Sequence, residues 1–215
     1  MRIFIAGASG LIGIRLIPLL AAGGHQVAGM TRSREKVTML RKCGALPVVC
    51  DVFDAAALTR AVVAFEPEVV FHQVTDLPDD AADLARYSDR NDRMRSDGTS
   101  NLLAAAAAAG EARVIAQSIA WELPSEHRRA VTAAHERAVL HAGGVVIRYG
   151  QLWGPGTYYP AEPPDPPRLH IDDAARQTLP ALEAPPGLTI VADDRAADGH
   201  SPSWRVVEDC SPAHS

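Results

Sequence analysis

The sequence predicts an α/β fold in which a parallel, doubly wound sheet is flanked by helices. Apolar runs of strand length recur along the chain at 3–6, 26–30, 46–50, 68–73, 112–118, 145–149 and 188–192. Helical patterns separate them at 11–22, 34–42, 55–65, about 80–109, 126–141 and 172–183. Strands that alternate with helices predict parallel pairing, because each crossover helix returns the chain to the same edge of the sheet.

The first predicted strand leads into a glycine-rich turn that opens the first predicted helix. Such a turn after a strand is typical of a Rossmann-type dinucleotide site: the first glycine permits the tight turn, the second admits a pyrophosphate, and the third lets the helix pack closely. The helix N-terminus adds free N–H groups. An ordinary glycine-rich turn is disfavoured because the spacing of the glycines, the flanking strand and helix, and the position in the chain all agree with a dinucleotide site. The predicted cofactor-binding residues here are Gly7, Ser9, Gly10, Leu11, Ile12 and Gly13.

The end of the second predicted strand favours NADP(H) over NAD(H). An acidic residue there would bind the ribose hydroxyls, but the sequence has Arg32 and Ser33 between Thr31 and Arg34. Guanidinium and hydroxyl donors suit a 2′-phosphate. The alternative is that these arginines face water.

Asp51 and Val52 follow the third predicted strand, where they are placed to meet the edge of an adenine. The alternative is that Asp51 caps the helix that begins near Asp54.

The composition changes after Gly154. Prolines between 154 and 167 exclude regular helix or central strand, so this segment is predicted to be a loop that crosses the mouth of the sheet. We therefore expect a nucleotide-binding domain over 1–192, with a small substrate-cap region at 154–170. The polar segment 193–215 is expected to form at most a loosely docked tail.

Composition excludes several classes of protein. The chain has 215 residues and a formal net charge of −5, without an arginine-rich block, which argues against nucleic-acid binding. Cys43, Cys50 and Cys210 lack metal-site spacing, and His135 and His141 are too far apart for a metalloprotease helix, so no metal is expected. No apolar segment has membrane-spanning length. We expect a cytoplasmic protein that acts on a small-molecule substrate.

Several motifs in a fixed order carry a resemblance to a known family. These motifs are the glycine turn, residues 51–52, the segments 69–73, 117–118, 148–156 and 170–175, and the pattern Asn91-x-x-x-Arg95-x-x-Gly98-Thr99-x-Asn101. Over residues 1–192 the chain resembles the short-chain dehydrogenase/reductase superfamily, in its extended NAD-dependent epimerase/dehydratase branch and atypical relatives. The resemblance implies that Gln73 binds the cofactor, that Ser118 binds a substrate carbonyl or hydroxyl, and that a homodimer is possible.

The chain departs from that family at its catalytic pair. The family uses Tyr-x-x-x-Lys, but the only lysines here are Lys36 and Lys42, and no tyrosine has a lysine four residues on. Registering Glu136 with the family's glutamate places Arg128 and Thr132 at the two positions. The candidate proton donors are then Tyr158 or Tyr159, His127, or a water held by Ser118. The catalytic candidates are Ser118, Tyr158 and His127.

Three functions remain open from the sequence. The first is a reductase or epimerase/dehydratase-like enzyme that acts on a small carbonyl or hydroxyl compound. The second is a sensor or scaffold that binds NADP(H) without catalysis. The third is a non-redox dehydratase or cyclase on the same fold.

Overall fold

The computed structural model describes residues 1–78 and 80–193, and the backbone of 205–206. Its main sheet is formed by β1 (Arg2–Ala6), β2 (Gln26–Thr31), β3 (Leu46–Val49), β4 (Val69–His72), β5 (Arg113–Ile119), β6 (Val145–Tyr149), β9 (Gly187–Val191) and β10 (Arg205–Val206). Their order is β3-β2-β1-β4-β5-β6-β9-β10. The first seven strands of this order are parallel, and β10 is antiparallel to β9. The predicted parallel sheet is confirmed.

The strand order places a crevice at the carboxyl end of β1. From β1 the chain passes outward to β2 and β3, and it then returns to β4 on the other side of β1. Ala6 is in register with Met30 of β2 and with His72 of β4, so the three strands end together. Ligands of open α/β sheets bind where the winding reverses in this way.

Helices cover both faces of the sheet. They are α1 (Leu11–Ala22), α2 (Val37–Lys42), α3 (Ala55–Phe65), α4 (Ser88–Arg93), α5 (Thr99–Ala108), α6 (Glu126–His141) and α7 (Ile171–Thr178). One core packs residues of α1, α2 and α7 against the sheet, and the other packs α3, α5 and α6. The fold is therefore the predicted Rossmann type. In the described part of the chain, no helix combines the length and apolarity needed to cross a bilayer.

The stretch 80–109 differs from the prediction of one helical segment. A 3₁₀ turn covers Ala81–Asp83, and α4 then passes through a π-helical segment, Met94–Gly98, into α5. Asp80 starts the turn, because its carboxylate accepts the N–H of Ala82 at 2.9 Å. The wider π turn keeps both Met94 and Gly98 buried before α5 begins.

A second, two-stranded sheet frames the proline-rich loop. The strands β7 (Gln151–Trp153) and β8 (Arg168–His170) pair in parallel, with Gln151 opposite Arg168 and Trp153 opposite His170. The segment 154–167 between them contains no helix or strand, as predicted. The prediction of a loosely docked tail falls largely outside the described residues, as does Cys210. At 205–206 the chain adds the edge strand β10, which the sequence did not indicate.

Candidate cofactor and substrate site

The glycine turn has the geometry that its spacing predicts. Gly7 has a φ of +86°, and a Cβ there would lie 2.4 Å from the carbonyl oxygen of Gln73. A Cβ on Gly13 would lie 2.5 Å from the carbonyl oxygen of Gly7. Gly10 is the N-cap of α1 and provides no side-chain cap, so the first-turn N–H groups are left for an anion.

Two hydroxyl groups connect this turn to the end of β2. The Ser9 and Thr31 hydroxyl oxygens lie 3.0 Å apart, and the N–H of Ser33 donates to Thr31 Oγ1 at 3.2 Å. Ser9 and Ser33, both predicted cofactor ligands, therefore share one partner. This contact brings the residues after β2 beside the glycine turn.

Arg32 makes an ion pair that the sequence did not reveal. Its Nη2 donates to Asp76 Oδ1 at 2.8 Å, and Arg90 Nε donates to Asp76 Oδ2 at the same distance. Asp76 is 5% exposed and follows β4. Its hydrogen bond raises the pKa of Arg32, against an opposing effect of burial. The position of Asp76 after a predicted strand was the sequence feature that could have indicated this ion pair. Its arginine partners are brought to it only by the fold.

The remaining predicted cofactor residues lie at the ends of β3 and β4. Asp51 Oδ1 accepts the N–H of Phe53 at 2.9 Å, whereas α3 is capped by Asp54. Val52 is buried, and its carbonyl accepts from Asn101. Gln73 is buried and donates its N–H to Ala6. Their contacts with a nucleotide remain predictions.

Ser118, near the carboxyl end of β5, is buried. Its hydroxyl donates to Glu136 Oε1 at 2.5 Å, and the side chain is almost fully buried. Arg148 holds the same carboxylate through Nε at 2.8 Å and Nη2 at 2.6 Å. Burial acts to raise the pKa of Glu136, but these hydrogen bonds outweigh it and hold the pKa below the usual range. The geometry gives Ser118 a structural partner, and its catalytic role remains a prediction.

The other two catalytic candidates have separate partners. His127 is in the first turn of α6 and is exposed, with Nε2 at 3.8 Å from Asp92 Oδ2. Tyr158 donates its hydroxyl hydrogen to the carbonyl of Pro78. The described contacts do not assemble Ser118, His127 and Tyr158 into one constellation.

Arg128 and Thr132, which the registration of Glu136 with the family's glutamate predicts at the positions of the tyrosine and the lysine, both lie on α6. Thr132 is 8% exposed, and its hydroxyl lacks a hydrogen-bond partner within the described residues. Arg128 lines a shallow surface cleft together with Asp92 and His127. These two positions therefore carry neither the tyrosine nor the lysine of the usual pair.

A buried chain of hydrogen bonds lies behind β4 and was missed from the sequence. His135 Nε2 lies 3.0 Å from the carbonyl oxygen of Gln117, and because a carbonyl only accepts, this nitrogen carries a hydrogen. Burial lowers the pKa of His135, so the neutral ring accepts at Nδ1 from Thr99 Oγ1 at 2.7 Å. Thr99 in turn accepts from His72 Nε2 at 3.1 Å. His72, a histidine within an otherwise apolar strand, was the sequence feature that could have indicated this buried chain.

The proline-rich loop is held above the edge of the sheet at two points. Arg15 of α1 donates to the carbonyl of Pro155 at 3.0 Å and pairs with Asp172 at 2.7 Å. Tyr158 reaches the segment after β4 through Pro78. The loop therefore extends from the start of α1 to the far side of the crevice, where a cap would lie.

Together, the doubly wound sheet, the glycine turn and the crevice at the reversal of the winding define a dinucleotide-binding fold. A family model described as NAD(P)H-binding matches residues 7–141. The chain belongs to this NAD(P)H-binding family, and its fold fits that of an atypical extended short-chain dehydrogenase/reductase.

Two curated relatives are named as reductases. The 3-diazoavenalumate denitrifying reductase of a Streptomyces species is 32% identical, over 92% of this chain and 77% of that protein. The 4-hydroxy-2-methyl-3-oxo-4-farnesyl-3,4-dihydroquinoline-1-oxide ketoreductase of Stigmatella aurantiaca is 30% identical, over 72% of this chain and 51% of that protein. The chain is thus similar to enzymes of the oxidoreductase kind.

Solved structures agree with the fold. The UDP-glucose 4-epimerase of Thermotoga maritima, solved with UDP-glucose, superposes with a TM-score of 0.72 at 19% identity, over 96% of this chain and 79% of that chain. The Thermus thermophilus UDP-glucose 4-epimerase in complex with NAD gives a TM-score of 0.70 at 20% identity, over the same shares. At this identity the likeness concerns the fold alone.

Proposed function

We propose that this protein is an NADP(H)-dependent reductase that transfers hydride to a small substrate in the crevice beneath the 154–167 loop. The first turn of α1 fits a pyrophosphate because its N–H groups lack a side-chain cap, and Gly7 and Gly13 permit the close packing that holds this turn in place. Arg32 and Ser33 would meet the adenosine end. When bound, the cofactor supplies the hydride.

One observation carries the choice of chemistry: α6 offers Arg128 and Thr132 where the family has its tyrosine and lysine. Reduction of a ketone needs a hydride at carbon and a proton at oxygen, so it requires an acid. Ser118 already donates to Glu136, Tyr158 donates to Pro78, and His127 is exposed beside Asp92. A reduction that consumes hydride without a proton fits these residues best.

Reduction of an aromatic diazonium group is such a reaction. Hydride adds at the ring carbon, the carbon–nitrogen bond breaks, and its electron pair leaves with dinitrogen; the balance is ArN₂⁺ + H⁻ → ArH + N₂. No proton is taken up. The Streptomyces relative is named for nitrogen removal from a diazo compound, which supports this substrate class for the present chain.

The test is to mix the protein, NADPH deuterated at C4 and 4-carboxybenzenediazonium, with protein-free and heat-denatured controls. The expected result is one dinitrogen released per NADPH oxidised, with deuterium in the benzoate taken from the cofactor and none taken from D₂O. Hydride transfer to a ketone but not to the diazonium salt would overturn the diazo substrate while keeping the reductase.

Ketone reduction is the second candidate, and the Stigmatella ketoreductase supports it. In that reaction Tyr158 or His127 would donate the proton to the carbonyl oxygen. Tyr158→Phe and His127→Gln, assayed on a panel of small ketones, separate the two donors. Absence of hydride transfer to either substrate class, with NADPH still bound, would favour the sensor or scaffold and the non-redox enzyme instead.

A further inference from the structure

A buried carboxylate fixes two arginines side by side at the adenosine end of the crevice. Asp76 accepts Arg32 Nη2 at Oδ1 and Arg90 Nε at Oδ2, both at 2.8 Å. Its backbone N–H lies 3.4 Å from Asn91 Oδ1, which ties it to the same helix as Arg90. The two guanidinium groups therefore have a spacing set by one rigid carboxylate.

Both guanidinium groups keep donors for a ligand. The side chains of Arg32 and Arg90 are 54% and 52% exposed, and in the described part of the chain each spends one nitrogen on Asp76. The Arg90 guanidinium also lies over the ring of Tyr87, 4.5 Å from its centroid, which restrains it further. Asp76 offsets one of the two positive charges, and the Asp51 carboxylate also stabilises the charged form of Arg32.

This pair lies where the adenosine of a dinucleotide would lie. Arg32 follows β2 next to the Ser9–Thr31 contact, whereas Asp76 follows β4, across the glycine turn. An acidic side chain in this region would select NAD(H) if it could bind the ribose hydroxyls. Asp76 is not such an acid, because it is buried and both of its oxygens are taken by arginines.

We propose that Arg90 joins Arg32 in binding the 2′-phosphate of NADP(H), and that Asp76 is the positioning residue that holds the two guanidinium groups at phosphate spacing. A phosphate monoester offers several oxygens, which suit two planar donors at once. The proposal rests on the NADP(H) preference proposed above. This inference adds Arg90 as a second phosphate ligand and Asp76 as the residue that positions both arginines for the NADP(H) preference.

The test measures dissociation constants for NADPH and NADH by calorimetry, with 2′-AMP and 5′-AMP as probes of the adenosine end. Arg90→Gln is expected to weaken NADPH and 2′-AMP by about tenfold or more, and NADH and 5′-AMP by less than about twofold. Arg86→Gln is the matched control, because this arginine lies near Tyr87 but pairs with Asp83. It should leave all four constants within about twofold.

Asp76→Asn separates positioning from charge. Removing a negative charge would by itself tighten phosphate binding, whereas loss of the shared anchor is expected to weaken NADPH by about fivefold. Unchanged NADH binding shows that the variant is folded. Tighter NADPH binding by Asp76→Asn, or equal losses in Arg86→Gln and Arg90→Gln, would overturn the proposal.

The outcomes for the wild-type chain and Arg32→Gln distinguish the two levels of proposal. A wild-type chain that binds neither dinucleotide refutes both, and equal affinity for NADH and NADPH refutes the cofactor preference together with this inference. If NADPH is preferred and Arg32→Gln weakens it while Arg90→Gln does not, the cofactor preference stands and the paired-arginine site is refuted.

Discussion

The Ser118 hydroxyl has its hydrogen committed to Glu136, which Arg148 also holds. Ser118→Ala is therefore expected to lower the free energy of unfolding by about 1.5–3 kcal/mol, the value of a buried hydrogen bond to a charged group. The turnover number should change by less than about threefold. Urea denaturation and steady-state kinetics measure the two effects, with Ser100→Ala on the exposed face of α5 as the control. A fall in kcat of about a hundredfold or more at unchanged stability would instead establish the catalytic role.

His72 links stability to pH, because burial lowers the pKa of this histidine to about 3. Its unfolded pKa is about 6.5, so below that value the unfolded chain binds a proton that the folded chain refuses. The contribution of His72 is complete above pH 6.5 and is lost as the pH falls towards 3. Between pH 7.5 and 5.0 the loss is about 2 kcal/mol.

Urea titrations at these two pH values test this dependence on His72. His72→Gln should flatten the pH dependence by about that amount. His141→Gln, at the exposed end of α6, should not. An identical pH dependence in wild type and His72→Gln would refute the assignment.

At the scale of elements, the turn between β1 and α1 depends on a glycine for two separate reasons. Gly7 and Gly24 both have positive φ, of +86° and +79°, but a Cβ on Gly24 would meet nothing within 4 Å, whereas one on Gly7 would strike the Gln73 carbonyl. Gly24→Ala should cost about 1–2 kcal/mol through its backbone conformation alone. Gly7→Ala should cost more and weaken NADPH binding by about tenfold or more.

Denaturant unfolding and calorimetry on the two alanine variants check this comparison. The difference in unfolding free energy between the two variants measures the cost of the collision between a Cβ at Gly7 and the backbone of Gln73. Equal losses of stability in the two variants would show that the collision is relieved by movement of the backbone.

The elements that the sequence predicted best are those with a strong local signal. Helix α3 begins after the capping residue Asp54 and α6 after Ser125, both at the predicted residues. The π segment at Met94–Gly98 was not predicted, because its geometry depends on the burial of Met94 and Gly98, which is set by tertiary packing. The pairing of β7 with β8 was missed because each strand is short and its partner lies on the far side of a proline-rich loop.

At the scale of the whole molecule, the proposed cofactor site forms only when distant segments have come together. Its residues follow β1, β2 and β4, so the unfolded chain has no comparable site. NADPH at a hundred times its dissociation constant should therefore raise the free energy of unfolding by about 2.7 kcal/mol.

Urea titrations with NADPH and with NADH measure this stabilisation. Arg32→Ala should reduce the gain from NADPH much more than the gain from NADH at the same fixed concentration. Equal reductions for the two dinucleotides would show that Arg32 acts on a part of the cofactor that both share.

The same long-range assembly limits what the sequence could say about the site. The glycine turn was predictable, since its spacing is local and each glycine has a mechanical reason. The pairing of Arg32 and Arg90 with Asp76 was not, because these residues meet only once β1 lies between β2 and β4. The burial of Ser118 against Glu136 likewise follows from how α6 packs on β5.

The pairing of β7 with β8 allows the length and sequence of the 154–167 loop to vary. Because the two strands are parallel, the intervening loop leaves the ladder after Trp153 and re-enters it at Arg168, opposite Gln151, so both of its ends lie at this short ladder. Doubling the length of such a flexible loop costs about 0.6 kcal/mol, which a domain of this size tolerates. Insertions and deletions in 159–167, beyond the Pro155 and Tyr158 contacts, are therefore expected to change the surface over the crevice while the glycine turn keeps its geometry, so that substrate range can diverge faster than the fold.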